Sequence, residues 1–302
     1  MTTASESGLG SVSVIVATRN RPAMLDTVVR SILGGEVLPD ELIIIDQSEP
    51  LLPTPTWPSS PCKIRHLHPE FVGLSRANNF GASVASHDIV LFTHDDVIVD
   101  SRWVAELAGA VARSGTSGAV TGRVSATGPE VAGGFAPALR DETEPVIHRG
   151  RVGHDVLKPM NLGMHRLVFE AVHGFDCRLG PGTVFPGAED ADLGYRILEA
   201  GYSIEFVPAS VVCRRAWRTD ADYLPLRWSY GLAQGAFYAK HSSRDDRHML
   251  QRASRDLRRR IRRLPRRMRH DGRRSLGDPI FVVASIVGAA RWWWTYGRSP
   301  QP

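Results

Sequence analysis

The sequence has few cysteines and no apolar run of membrane-spanning length. Its three cysteines, Cys62, Cys177 and Cys213, are widely spaced, which excludes a disulfide framework or a cysteine metal site and indicates a reducing compartment. Residues 1–11, MTTASESGLGS, are polar and lack the basic-then-apolar pattern of a signal peptide. We therefore expect a cytoplasmic protein with a disordered N-terminus.

Charge is distributed unevenly along the 302 residues. The chain has a net charge of +5, but residues 247–274 contain thirteen Arg against two Asp, a net charge of +11, so the other residues together carry −6. The basicity therefore belongs to a C-terminal segment and not to the main body. A chain of this length can bury a full α/β core, and one large domain with an appendage is expected.

The first fifty residues alternate between strand and helix patterns. Residues 12–17 (VSVIVA) and 41–45 (ELIII) are strand-forming runs, and Pro22 fits the first turn of an amphipathic helix between them. This order is typical of a nucleotide-binding α/β sheet. Asp46 follows the second run, where an acid can accept a hydrogen bond from a ribose or base; an ordinary turn aspartate is an equally good interpretation.

The run from Ile89 to Phe92 predicts a buried strand that ends at Thr93-His94-Asp95-Asp96. The carboxyl edge of such a sheet is the usual ligand crevice of open α/β folds. Two adjacent carboxylates there require a compensating Arg, helix N-terminus or divalent cation. A helix N-cap followed by a solvated turn is the commoner explanation of a bare Asp-Asp pair.

The intervening segments predict the rest of this half of the sheet. We expect a strand at 63–67, a helix of small residues at 73–86, a helix at 102–113 and a strand at 119–124. Arg76, on the second of these elements, is placed to aim a cation at the acidic pair.

A second acidic pair, Glu189-Asp190, lies at the start of a predicted helix, because Leu193, Ile197 and Leu198 follow at helical spacing. Carboxylates are favoured at helix N-termini, so capping alone explains the pair without any catalytic role.

Taken together, ordered segments of the chain resemble the family 2 glycosyltransferases. These segments are IVATRNRP, IIIDQS, GLSRANNFG and VLFTHDDV, followed by MNLGMHR, VHGFDCRLGPG and GAEDADLGYRILEAGY, over about residues 12–241. The resemblance implies an α/β glycosyltransferase A (Rossmann-like) mixed sheet flanked by helices. It also implies a nucleotide-sugar-binding half at 12–127 and an acceptor-binding and catalytic-base half at 128–241.

The resemblance also implies roles for individual residues. Asp96 would bind Mg2+ or Mn2+, and Asp95 would contact the ribose or a metal-bound water. The base and ribose would be framed by Thr18, Asn20, Arg21 and Asp46, with Arg76 and Asn79 nearby. Asp190 would be the catalytic base and Glu189 an acceptor ligand, while Asp192 and Arg196 would form a structural pair. A single base on the acceptor side implies one-step transfer with inversion.

Two positions depart from the family pattern. His94 stands where the family has the first acid of its D-x-D motif, and Cys213-Arg214-Arg215 stand where many relatives have a metal-binding His. An Arg cannot ligate a cation but can grip a phosphate. Two alternatives to an active transferase are a degenerate nucleotide- or glycan-binding scaffold and a nucleotidyltransferase, although the latter would want a Gly-rich, Lys-containing phosphate loop.

Residues 242–302 form a predicted basic helical tail with a Trp-rich end. Within 247–274 the apolar residues Leu250, Leu257, Ile261, Leu264 and Met268 follow one helical stripe, with Arg on the other faces. The Trp and Tyr cluster at 292–296 suits a lipid headgroup region, so we expect residues 247–296 to bind an anionic membrane on its inner face. Such a location suits a lipid-linked or cell-envelope acceptor. Packing on the body, dimerisation and nucleic-acid binding are the alternatives, the last without any recognisable nucleic-acid fold.

Overall fold

The computed structural model describes residues 2–50, 56–243, 246–270 and 272–297 and is an α/β protein. The strands are β1 (Thr2–Thr3), β2 (Val12–Thr18), β3 (Val37–Leu38), β4 (Glu41–Asp46), β5 (Lys63–Leu67), β6 (Ile89–His94), β7 (Val97–Val99), β8 (Gly118–Pro129), β9 (Val146–His148), β10 (Leu162–His165) and β11 (Ser203–Ala216). The helices are α1 (Pro22–Leu33), α2 (Leu74–Val84), α3 (Trp103–Ser114), α4 (Arg166–Ala171), α5 (Glu189–Glu199), α6 (Asp220–His241), α7 (His248–His270) and α8 (Gly277–Tyr296).

The main sheet is mixed, with strand order β5-β4-β2-β6-β10-β8-β11-β7, and β9 pairs with β11. Strands β5, β4, β2 and β6 are parallel to one another, whereas β10 runs antiparallel to β6 and β8. The predicted mixed α/β sheet flanked by helices is thereby confirmed. The sequence-predicted boundary at 127/128 falls inside β8, and strands from both predicted halves join one sheet.

Alternate residues of the central strands feed two hydrophobic layers, as the two-residue period of a strand requires. In β2, Val14 and Val16 pack in the layer that contains α1 and α3, while Ile15 packs in the layer that contains α2 and α5. Both faces of the parallel strands are thus covered, and their open edge is left at the carboxyl ends.

The register of the parallel strands brings the predicted polar residues to one edge. Ala17 in β2 pairs with His94 in β6, and Thr18 pairs with Asp46 in β4. Thr18 and Asp46 therefore lie on neighbouring strand ends, and the Asp95–Asp96 pair leaves the sheet on the other side of Thr18.

Helices α6 and α8 pack along each other at backbone contact distance. A Cβ added at Gly235 would lie 1.9 Å from the Ser285 carbonyl oxygen, and one at Gly288 would lie 2.0 Å from that of Leu232. Trp292 is buried against Phe185, with ring centroids 5.4 Å apart. The predicted tail is therefore not a detached appendage, because its last helix is packed on the body.

The N-terminus also differs from its prediction. Residues 2–11 were expected to be disordered, but β1 pairs in parallel with β3, and Ala4 is fully buried. The Val12 amide donates to Asp40 at 2.9 Å and holds this segment against the body. A short polar terminal segment can be ordered in this way when its backbone pairs with a strand and its few apolar side chains are buried. Five prolines from Pro50 to Pro61 predict an extended surface loop, of which residues 51–55 lie outside the described residues.

Candidate active site

A cavity of about 630 Å³ opens at the carboxyl ends of β2 and β6. Both acidic pairs lie on its wall, together with side chains from β11 and the C-terminal helices. The residues that line it include Thr18, Arg21, His94, Asp95, Asp96, Lys158, Glu189, Asp190, Arg214, Arg218, Arg227, Tyr230, Arg260 and Phe281. The crevice predicted at this sheet edge therefore exists, and it brings residues from both halves of the chain together.

Asp95 is buried and held by two neighbours. Its carboxylate accepts hydrogen bonds from the Thr18 hydroxyl at 2.9 Å and from the Arg21 guanidinium at 3.0 Å. Burial raises the pKa of Asp95 to about 6, because desolvation outweighs the attraction of Arg21. Thr18 and Arg21 thus lie at the predicted site and orient this acid.

Asp96 is paired with a buried arginine from β11. Nη2 and Nε of Arg214 lie 3.0 Å and 3.3 Å from Asp96 Oδ2. Burial works to raise the pKa of Asp96, but Arg214 outweighs it and the pKa falls to about 2. His94 is fully enclosed, and burial lowers its pKa to about 4, so at neutral pH it is an uncharged neighbour of Asp96.

The donor atoms at the Asp95–Asp96 pair fit one hard divalent cation. Asp96 Oδ1 is buried and has no hydrogen-bond partner among the described residues, whereas its other oxygen and the Asp95 carboxylate are already bound. Mg2+ and similar ions are commonly held by one or two carboxylates, with substrate phosphates and waters completing the shell. One carboxylate oxygen without a hydrogen-bond partner, on a residue that lines the cavity, meets that requirement.

The second acidic pair, Glu189 and Asp190, lies at the start of α5 and also lines the cavity. Ala188 adopts a left-handed conformation, with φ 61°, and turns the chain so that Glu189 and Asp190 enter the helix facing the cavity. Burial, reinforced by the charge of Asp190, raises the pKa of Glu189 to about 8, and Glu189 Oε2 has no partner among the described residues. The side chain of Asp190 is partly exposed. Its burial among the surrounding protein groups nevertheless raises its pKa as well.

The predicted pair of Asp192 and Arg196 is confirmed as a structural element. The two side chains lie 2.8 Å apart, and Asp192 Oδ1 also accepts from His241 at 2.7 Å and from Lys240. The hydrogen bond from His241 and the charges of Arg196 and Lys240 hold the pKa of Asp192 far below its usual value, although burial works to raise it. This network fixes α5 to the end of α6 and so fixes the position of the acids at the start of α5.

Three predicted donor-site residues lie elsewhere. Arg76 is exposed and does not line the cavity, so the cation expected from α2 is supplied instead by Arg21 and Arg214. Asn79 bonds the backbone amide and carbonyl of Phe175, each at 2.8 Å, and has a structural role. Asn20 has φ 57° and caps the turn after β2, where its side chain accepts from the Glu49 amide.

Asp46 lies one strand from Thr18 and belongs to a separate group with two histidines. Its Oδ2 is 3.1 Å from His66 Nε2 and 4.0 Å from His68 Nδ1, and these three ligand atoms all lie within 4.8 Å of one another. The three side chains together could hold a metal ion, and two imidazoles with a carboxylate suit Zn2+-like ions better than Mg2+. His66 of β5 and His68, which directly follows that strand, were not singled out from the sequence, although their spacing at i and i+2 favours the same side of an extended chain.

The C-terminal helices contribute residues that sequence reasoning did not assign to the site. Arg227, Tyr230, Arg260 and Phe281 all line the cavity. The sequence signals were the Arg227-Trp228 pair and the arginine-rich segment itself. Neither showed that α7 and α8 would return to the cavity.

Comparisons with known proteins agree with this geometry. Residues 13–144 match the family model described as glycosyl transferase family 2. A mannosyltransferase from Pyrobaculum calidifontis, solved in complex with GDP-Man and Mn2+, aligns at a TM-score of 0.53 with 14% identity, over 97% of this chain and 76% of its own. GalNAc-T7, solved with UDP, GalNAc and Mn2+, aligns at a TM-score of 0.52 with 17% identity, over 76% of this chain and 50% of its own. A search of curated proteins found no match.

These structural likenesses are low in identity and show the fold, while the family model covers residues 13–144. The chain therefore has the glycosyltransferase A fold, and its first half is similar to the family 2 glycosyltransferases.

Proposed function

We propose that this enzyme transfers a sugar, with inversion, from a nucleotide-diphosphate sugar of the UDP or dTDP type to a hydroxyl group of a lipid-linked or cell-envelope glycan. The observation that carries the proposal is that one cavity is lined by the Asp95–Asp96 pair and by Asp190. A donor held at the first group and a hydroxyl facing the second would meet within this space. Structures of the same fold were solved with GDP-Man and with UDP, which supports a nucleotide-diphosphate donor.

The diphosphate of the donor would be held by cations around the acidic pair. The guanidinium groups of Arg21 and Arg218 both lie over the Trp217 indole, 5.2 Å and 4.4 Å from its ring centroid, and both residues line the cavity with Arg214. Planar guanidinium groups bind phosphate oxygens through two parallel N–H donors. A divalent cation, Mg2+ or Mn2+, held at Asp96 would neutralise charge that develops on the departing diphosphate.

Asp190 is the proposed catalytic base. Its raised pKa brings the carboxylate closer to the pH at which a base is most effective. The carboxylate takes the proton of the acceptor hydroxyl while that oxygen forms a bond to the anomeric carbon. The bond from this carbon to the diphosphate oxygen breaks in the same step. One displacement inverts the configuration, and no second nucleophile is required.

A scaffold that binds nucleotide without catalysis is the second candidate. The observation that favours it is the Arg214–Asp96 ion pair, which occupies one oxygen of the proposed cation ligand. A thermal-shift panel of nucleotides and nucleotide sugars, with and without Mn2+, identifies the base from the largest stabilisation. Turnover of the stabilising donor would support the transferase, whereas binding with no turnover under any acceptor would support the scaffold.

Membrane association forms a further part of the proposal and would place the enzyme on the inner face of the cell membrane. None of the helices within the described residues is long and apolar enough to span a bilayer. However, the solvent side of α8 carries Val283, Ile286, Trp293 and Trp294, the last of which is 90% exposed. Exposed apolar side chains can be buried in the headgroup region of a lipid surface, and the neighbouring arginine-rich helix is attracted to anionic lipids.

Because α8 packs on α6, the membrane proposal is tested best in the full chain. Co-sedimentation with phosphatidylglycerol vesicles should fall in Trp293→Ser/Trp294→Ser, while Trp228→Ser, an exposed tryptophan on α6, serves as the matched control. Equal sedimentation of all three proteins would remove the basis for a membrane-binding face.

A further inference from the structure

Two helices, α6 and α7, bring three arginines to a single carboxylate at the start of α8, beside the cavity. Asp278, at the start of α8, lies 3.2 Å from Arg227 of α6, and 3.3 Å and 2.8 Å from Arg260 and Arg267 of α7. The Asp278 side chain is only 6% exposed. We call Arg227, Arg260, Arg267 and Asp278 the arginine cluster.

The arginine cluster holds three guanidinium groups close together, with Asp278 and Asp256 as neighbouring carboxylates. Arg227 and Arg260 share one oxygen of Asp278, and Arg260 has a second partner in Asp256 at 3.2 Å. Burial and then the nearby charge of Arg260 lower the pKa of Arg227. Like charges are costly to hold this close in a partly buried place, and a bound anion would relieve that cost.

Two members of the cluster face the reaction space. Arg227 and Arg260 line the same cavity as Asp190, and so does Phe281. Both guanidinium groups lie over the Phe281 ring, at 4.8 Å and 3.6 Å from its centroid. Stacking on an aromatic face fixes a guanidinium plane while leaving its edge, which carries the N–H donors, available for hydrogen bonds.

The donor diphosphate already has its own set of arginines. Arg21, Arg214 and Arg218 surround the Asp95–Asp96 pair, whereas Arg227 and Arg260 are contributed by the helices beside α5 and its acids. A second cationic group in the same cavity fits an anionic group on the other substrate.

We propose that Arg227 and Arg260 form an anion subsite that binds a phosphate group carried by the acceptor. The inference rests on the proposed transferase function, and it narrows the acceptor to a phosphate-bearing molecule. An isoprenoid lipid phosphate and a free sugar phosphate are the two sources of this group, since both present the same dianion to the guanidinium edges.

Calorimetric titration with three probes tests the subsite and distinguishes the two sources. The probes are farnesyl phosphate in detergent, glucose 1-phosphate, and farnesol as the uncharged analogue, each added to protein saturated with UDP. Binding of farnesyl phosphate but not farnesol identifies a lipid phosphate, and binding of glucose 1-phosphate alone identifies a free sugar phosphate. Both results support the subsite, whereas equal binding of farnesol and farnesyl phosphate, or binding of neither phosphate, would overturn it.

Variants then connect the binding to the named residues. Arg260→Gln and Arg227→Gln should each weaken the phosphate probe by about tenfold or more, since a charge-assisted pair contributes at least that much. Arg260→Lys should recover part of the loss, and Arg263→Gln, on the exposed side of the same helix, should leave the affinity unchanged. Unchanged phosphate affinity in both Gln variants would contradict the assignment.

Titration with UDP distinguishes a failure of the phosphate subsite from a failure of the proposed transferase function. UDP affinity should be the same in wild type, Arg260→Gln and Arg263→Gln, which also shows that the variants are folded. If UDP binds and the phosphate probes do not, only the subsite is wrong. If UDP and the other nucleoside diphosphates also fail to bind wild type, the transferase proposal fails with it.

Discussion

Arg214 and Asp96 form a buried ion pair in which Nη2 lies 3.0 Å from Oδ2, in the wall of the cavity. The pair joins β11 to the end of β6, two segments separated by 118 residues in sequence. It provides the compensating cation that two adjacent carboxylates need, and it leaves Asp96 Oδ1 buried without a hydrogen-bond partner among the described residues.

Removal of Arg214 should destabilise the protein strongly. Arg214→Gln leaves the buried Asp96 charge unpaired, and the free energy of unfolding should fall by about 3–5 kcal/mol. The neighbouring Arg215 pairs with Glu130 at the surface, so Arg215→Gln should cost about 1 kcal/mol or less. Urea denaturation of both variants measures the difference. Similar losses in the two would show that the buried pair contributes no more than the surface pair.

Glu189 should make stability depend on pH. Its ordinary pKa is 4.5 and burial raises it to about 8 in the folded protein. Between these values the unfolded chain releases the proton and the folded protein keeps it, so the free energy of unfolding decreases as pH rises through this window. For one proton the slope approaches about 1.4 kcal/mol per pH unit.

Replacing Glu189 by Gln should remove this contribution. Chemical denaturation of Glu189→Gln between pH 5 and pH 8 should show a shallower decline than wild type, with the largest gain in stability near pH 8. Glu199→Gln, at the exposed end of the same helix, is the control and should retain the wild-type slope. Identical slopes in all three proteins would mean that Glu189 ionises normally.

The cation should depend on Asp96 and not on the Asp46–His66–His68 group. Mn2+ should raise the affinity of wild type for UDP by about tenfold or more, and EDTA should reverse the gain. Asp96→Asn should abolish the Mn2+ effect, whereas His68→Ala should preserve it, as titration calorimetry can measure. The opposite result would move the nucleotide-linked cation to the histidine group.

Local patterns in the sequence were sufficient for the sheet and its polar edge. The runs at 12–17, 41–45 and 63–67 formed strands at nearly the predicted bounds, because each is a short apolar or β-branched segment between turn residues. Parallel pairing then places the residues that follow them at one edge. For that reason Thr18, Arg21 and the Asp95–Asp96 pair lie together in the cavity, while their roles in donor and metal binding stay predictions.

Contacts between distant segments were beyond the sequence patterns. Arg76 was predicted to face the acids from α2, but which arginine reaches them depends on how β11 crosses the sheet, and Arg214 has that place. The tail was predicted from its charge and helical period, which describe its surface and not its packing partner. Gly235 and Gly288 permit α8 to lie on α6, but the sequence pattern does not show that these two glycines belong to one helix contact.

The central claim is that the cavity transfers a sugar in one step with Asp190 as base. The direct measurement is proton NMR of the anomeric signals while the donor that the thermal-shift panel selects is hydrolysed slowly in the presence of Mn2+. The first sugar released should have the anomeric configuration opposite to that of the donor. Asp190→Asn should bind the nucleotide as wild type does, and its rate of sugar release should be lower by about 100-fold or more. Retained configuration, or a wild-type rate in Asp190→Asn, would contradict the account.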